Sequence, residues 1–194
     1  MERRGVLLAV VIAALFGIVS LQAVLRGAPT PLALLVRLFA LNAFCALAVA
    51  AMMTPFLGEI RAVFGRPFIR MHHFFVAFGL SAAILHPLSV AVLAASPSVF
   101  IPSFASWGAF WALAGRPALY MLIIAAGAAI FRRRLGGAWR FLHMLVYLAL
   151  LFAIVHANLI GTDLADPVVG IILNGAALGV FAAFVLKRYR RWRR

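Results

Sequence analysis

Five histidines, His72, His73, His86, His143 and His156, all lie in or at the edge of strongly apolar segments of this 194-residue chain. An ionisable group inside such a segment is expensive in a bilayer and by default marks a functional site. A helix–helix hydrogen bond would explain one of them alone, but not the arrangement. Each of two segments carries one histidine near one end and another near the opposite end. His72 to His86 is 14 residues and His143 to His156 is 13, which on helices is about 21 Å and about 20 Å of rise. The two pairs can therefore meet at two matching depths. Neutral imidazole is a good axial ligand for haem iron, so the pattern predicts two b-type haems stacked across a membrane. His72 with His143 would hold the inner one, and His86 with His156 the outer one. At about 100° per residue, fourteen steps return within about 40° of the starting face, whereas thirteen miss it by about 140°. The first figure favours His72 over its neighbour His73. The second calls for a tilt, a local distortion such as a π-bulge, or a haem approached from another side of the helix, in the segment carrying His143 and His156.

Haem also brings two carboxylates that need cations. Arg70 and Arg140 flank the inner pair, while Arg37 and Arg116 stand at the outer ends of their segments. Arg70, Arg116 and Arg140 are thus candidate cofactor-binding residues. Phe74, Phe75, Phe78, Gly79 and Phe141 could pack a porphyrin or, equally, another helix. A zinc or non-haem iron site needs three or four ligands at one depth, often with a carboxylate. No Asp or Glu falls inside an apolar segment and Cys45 is the sole cysteine. The same lack of carboxylates argues against a proton pump or ion-coupled transporter.

The elements that must position these groups follow from composition. Hydrophobic residues make up 66% of the chain, with 18 Lys+Arg against 4 Asp+Glu. A soluble domain is nearer 45–50% apolar and about 25% charged, and a chain this apolar cannot stay solvated as disorder. Six segments approach the roughly 20 apolar residues needed to cross a bilayer: Gly5–Val24, Leu32–Pro55, His72–Ala95, Pro117–Phe131, Trp139–Ile160 and Val168–Val185. The fourth is short and opens at Arg116-Pro117, proline being suited to a first turn. Phe104–Leu113, with Trp107 and Trp111, reads as an interfacial helix.

With the N-terminus inside, 15 of the 18 basic residues gather on the inner face, and Arg26, Arg37 and Arg116 remain outside. The net charge of +14 is thereby explained by membrane orientation rather than by nucleic acid. A signal peptide over residues 1–29 is the weaker reading, because Arg26 follows a poor cleavage site and the apolar run is long. The expectation is an all-α, six-helix transmembrane bundle, a single domain over 1–194, with both termini cytoplasmic. It would be a multi-pass protein of a bacterial inner (plasma) membrane.

Two stretches carry a resemblance: TPFLGEIRAVFGRPFIRMHHFFVAFGLSAAILH, Thr54 to His86, and RRRLGGAWRFLHMLVYLALLFAIVH, Arg132 to His156. Together with the length, the six segments, the Arg116-Pro117 step and the LHxLVYL motif around His143, they resemble the ferric-reductase-like transmembrane domain. That domain is shared by NADPH oxidases, ferric reductases and small bacterial haem proteins. Within it the chain looks most like the MsrQ group, haem-binding membrane subunits that feed a periplasmic methionine sulfoxide reductase. The resemblance spans roughly residues 38–190. It implies that His86 and His156 ligate an outer haem and that His143 helps ligate an inner one. MsrQ-type sequences tend to carry arginines where this chain has His72 and His73, whereas the oxidases keep a histidine there.

The resemblance implies a haem b electron carrier, with FMN or a quinone as a further cofactor or electron source and redox partner proteins on one or both faces. Electrons would pass from a cytoplasmic, flavin or quinone donor to an external acceptor. The alternatives are a stand-alone ferric or oxygen reductase, and a non-redox metal or substrate transporter. No GxGxxG loop or soluble domain follows the last segment, so oxidation of NADPH by this chain alone is not expected.

Overall fold

The computed structural model describes residues 3–65 and 67–193; Arg66 and Arg194, both counted among the inner basic residues above, lie outside the described residues. Among those described, the secondary structure is helical throughout, with no strand. In chain order the helices are α1 (Arg3–Leu25), α2 (Pro31–Met52), α3 (Leu57–Phe64), α4 (Phe68–Leu93), α5 (Trp107–Ala112), α6 (Gly115–Ile130), α7 (Arg132–Leu135), α8 (Ala138–His143), α9 (Leu145–Ile160) and α10 (Pro167–Trp192). Short 3-10 turns at Pro97–Phe100 and Thr162–Ala165 join α4 to α5 and α9 to α10. Five rods are long and apolar enough to cross a membrane: α1, α2, α4, α8 with α9 (Ala138–Ile160), and α10. The 16 residues of α6 rise about 24 Å, short of a ~30 Å hydrocarbon core.

Helix starts follow local chemistry. Thr30 caps α2 by accepting from the Ala33 amide, with Pro31 in the first turn. Asp166 caps α10 through the Val168 and Val169 amides, with Pro167 following. Each side-chain oxygen satisfies an amide that the helix cannot. Ser106 does the same for α5, the interfacial helix expected over Phe104–Leu113. At the other end of α3, Gly65 takes the left-handed conformation at φ 63°, which closes the helix without a Cβ clash.

Small residues let the helices close up. From Ala43 to Ala51, α2 is buried without interruption, and it touches α1, α4, α9 and α10. A Cβ added to Gly79 of α4 would lie 2.8 Å from Leu47 Cγ and 3.1 Å from Ala46 Cβ. Hydrogen is therefore the only side chain that fits this crossing unadjusted, as is usual where helices pack within a bilayer. The two most extensive contacts are α2 with α4 and α6 with α9, giving two antiparallel hairpins. Large apolar side chains such as Leu7, Val92, Ile171, Leu178 and Phe181 face outward, an arrangement suited to lipid rather than water. One end of the bundle gathers Arg61, Arg132, Arg133, Arg134, Arg140, Lys187 and Arg188; it is called the basic end below.

Candidate functional site

The two hairpins hold their histidines in the same way. His72 and His86 of α4 place Nδ1 3.2 Å and 3.0 Å from the carbonyl oxygens of Ala50 and Val36 on α2. His143 and His156 place Nδ1 3.0 Å and 2.7 Å from the carbonyl oxygens of Ala125 on α6 and Ala112 at the end of α5. A carbonyl only accepts, so each Nδ1 carries the proton and donates, and each Nε2 keeps a lone pair free for a ligand. The acceptors are spaced as the donors are: 14 residues from Val36 to Ala50, matching His72 to His86, and 13 from Ala112 to Ala125, matching His143 to His156. The shortfall of one residue in the second hairpin is therefore shared by both of its strands of helix.

Breaks in the helices make that spacing workable. At Met144, between α8 and α9, the amide is shared between the Arg140 and Phe141 oxygens, and the Tyr147 amide reaches the Met144 oxygen. Three-residue bonds of this kind locally overwind the chain relative to an α-helix. A local distortion, one of the ways to absorb the 13-residue spacing, is therefore present, in 3-10 form rather than as a π-bulge. At the other end of the hairpin, level with His156, α5 and α6 are separated at Leu113-Ala114, where the Ala114 amide returns to Trp111 and the Arg116 amide to Leu113. The Ala112 carbonyl is thereby left to His156. The Ala50 carbonyl is left to His72 in the same way, because the Thr54 amide bonds Ala51 instead.

Two cavities lie between the hairpins, each lined by one histidine from each. At the basic end a cavity of about 330 Å³ is lined by His72 and His143, with Thr54, Tyr147 and Phe184 among its walls. The His72 and His143 rings are 6.5 Å apart between centroids, at 71°. At the opposite end a cavity of about 390 Å³ is lined by His86 and His156, with Arg37, Arg116 and Asp163. Both volumes fall in the range of small-molecule sites. His73 is exposed and lines neither cavity, so the structure brings together the histidines in the pairs that the spacing implied.

Ring planes are fixed by neighbours. Phe68 stacks on His72 at 5.3 Å and 21°, and Trp139 lies 5.9 Å from His143; both aromatics stand one helical turn before their histidine.

The cations divide differently from expectation. Arg140 and Arg116 line the basic-end and opposite cavities respectively, but Arg70 is exposed on α4 and lines neither. Its side chain leaves the start of α4 on the outward face. Lys187 and Arg188 of α10 take that place, at the mouth of the basic-end cavity. In the sequence they were indistinguishable from the run of topology-setting cations at the end of the last segment. Arg37, named above among the cations near a haem carboxylate, is instead the ion-pair partner of Asp163. Its Nε lies 3.1 Å and 3.0 Å from the two Asp163 oxygens, its Nη2 lies 2.5 Å from Oδ1, and it also donates to the Gly27 carbonyl. Asp163 is the buried charged residue of the described chain. By contrast Arg116 donates to the Ile101 carbonyl and has no carboxylate partner among the described residues.

Among the described residues, no three His, Cys, Asp or Glu side chains gather to hold a bare metal ion. A porphyrin supplies four ligands itself, so two imidazoles complete the iron. A ligated metal stands about 2 Å from an imidazole nitrogen, which puts opposed ring centres roughly 6 Å apart. The His72–His143 separation, the free Nε2 atoms and the flanking cations all fit such a group. No family model, no curated protein and no solved structure matches the chain.

Proposed function

We propose that this is a six-span membrane electron-transfer protein of the ferric-reductase-like kind, holding two b-type haems. His72 and His143 would ligate the haem at the basic end, and His86 and His156 the one at the opposite end. Both termini would be cytoplasmic, in a bacterial inner membrane, with α6 as the short sixth span. The observation that carries the reading is the set of four Nδ1-to-carbonyl tethers, matched in spacing within each hairpin and opening on two cavities. Metal-bound histidines characteristically donate their other nitrogen to such an acceptor, which fixes the tautomer and raises ligand basicity. A helix–helix bond alone would not require two from each hairpin, at common depths and on cavity walls.

Haem supplies one-electron chemistry, and the chain's residues do the rest. The carbonyl tethers orient the imidazoles and keep the proton on Nδ1, which leaves Nε2 as the ligating nitrogen. Arg140, Lys187 and Arg188 at one mouth, and Arg116 at the other, offer charge to propionates. The apolar walls exclude water and thereby tune the potential. About 21 Å of α4 separates its two histidines, so the pairs stand near opposite faces of the bilayer. Electrons would enter at the basic end from a flavin, quinone or reductase partner and leave at the opposite end to an external acceptor.

The test is transfer across a membrane. Vesicles holding the protein, with ferricyanide inside and a membrane-impermeant reductant outside, should show reduction of the trapped ferricyanide. His143→Ala and His156→Ala should each abolish it. A wild-type rate no higher than that of protein-free vesicles, or variants that transfer as fast as the wild type, would refute a transmembrane path.

A further inference from the structure

His156 is held from a second side. A Cβ built on Gly115, the first residue of α6, would lie 3.0 Å from His156 Cδ2, 3.1 Å from Nε2 and 3.3 Å from Cγ. Three contiguous ring atoms at nearly equal distance place that carbon over the face of the imidazole. An approach in the ring plane would leave the two atoms flanking Cδ2 much farther away. The backbone of Gly115 thus lies against the flat of the ring, while the Ala112 carbonyl, three residues earlier, holds its Nδ1 edge at 2.7 Å. One short stretch of chain, the junction of α5 and α6, fixes two directions of the same imidazole, and Nε2 is left facing away in the ring plane.

No other histidine is set in this way. His72 and His143 have aromatic rings one turn before them on their own helices. Gly127, further along α6, has open space where its Cβ would be, so glycine there reports no such contact.

We propose that Gly115 is a positioning residue: the absence of its side chain sets the plane of the His156 ring and hence the direction of the Nε2 ligand at the cavity opposite the basic end. This rests on the haem reading above. In Gly115→Ala, the added carbon sits closer to the ring than ordinary van der Waals contact allows, so the ring must tilt or the Ala112 bond must lengthen.

The experiment is low-spin haem EPR and redox titration of the purified holoprotein, with the outer signal assigned as the one lost in His86→Ala. Gly115→Ala should shift the outer g-max and midpoint potential and leave the inner signal in place, while Gly127→Ala should change neither. Thermal melting in a double-mutant cycle supplies a readout independent of haem. Gly115→Ala should lower the melting temperature of the wild type but not of His156→Ala, and a Gly115→Ala protein that fails to fold should be rescued by His156→Ala. An unaltered outer signal in Gly115→Ala, or the same loss of stability with and without the His156 ring, would overturn the proposal. Wild-type protein without haem would instead overturn the functional reading on which it rests.

Discussion

Replacing Asp163 tests how the end of the bundle opposite the basic end is held together. The Asp163 side chain is 7% exposed and that of Arg37 is 17%, and three guanidinium contacts of 2.5–3.1 Å join them. Removing one partner of a buried pair leaves an uncompensated charge and costs about 3–5 kcal/mol. Arg37 keeps its bond to the Gly27 carbonyl and some access to solvent, so Asp163→Ala should fall at the low end, about 3 kcal/mol. Asp163→Asn keeps one acceptor but turns an amide donor toward the guanidinium, and about half of that loss is expected. Arg37→Ala should be comparably damaging. The double variant should lose less than the two singles combined, by about 2 kcal/mol, because neither charge is then stranded. The assay is equilibrium unfolding in mixed micelles, followed by circular dichroism. A cost below about 1 kcal/mol for Asp163→Ala, the level of an exposed pair, would refute the reasoning, as would strict additivity in the double variant.

Three further outcomes follow from the geometry. His73→Ala should bind as much haem as the wild type, whereas His72→Ala should lose one haem; pyridine haemochrome assays decide. Gly79→Val should force α4 from α2 at Leu47 and cost about 1–3 kcal/mol, the range for overpacking, read by the same unfolding assay, with the spectra of both haems disturbed because His72 and His86 share that interface. Glu59 has its carboxyl held below the usual glutamate range, first by its own backbone amide and then by Arg190, 3.0 Å away. Its folded value is depressed, so the α3–α10 contact is fully present above the ordinary glutamate value and is lost as pH falls through the lower folded one. Protection of the α3 amides, taken relative to intrinsic exchange at each pH, should therefore be flat from pH 8 to 5 and fall only below about pH 4; a loss of protection between pH 8 and 6 would contradict that assignment.

Hydropathy placed the ends of the long helices within about four residues, because a span of about 20 apolar residues is written into composition. The exception is α10, which runs seven residues past Val185 to Trp192, through a basic stretch that hydropathy does not count. Histidine spacing likewise indicated which residues would share a cavity. What could not be read was every feature that depends on a partner far along the chain or on the backbone. Ala50, Val36, Ala112 and Ala125 accept through carbonyls that any residue has, so nothing in their side chains announces them. Asp163 pairs with a residue 126 positions away, a separation that no local pattern reveals. The matching spacing of those carbonyl acceptors, 14 residues in one hairpin and 13 in the other, was hidden for the same reason. The broken geometry at Met144 was legible only as one option among three: thirteen residues do not close on one helical face, and a tilt, a distortion or an approach to another side of the helix could each make up the difference.

Haem stoichiometry in the wild type and in single histidine variants tests the central claim most directly. Protein produced in haem-replete cells should carry two low-spin b haems per chain. His72→Ala or His143→Ala should remove the same one, and His86→Ala or His156→Ala the other. Protein with no haem, or four variants that each retain both, would contradict the account.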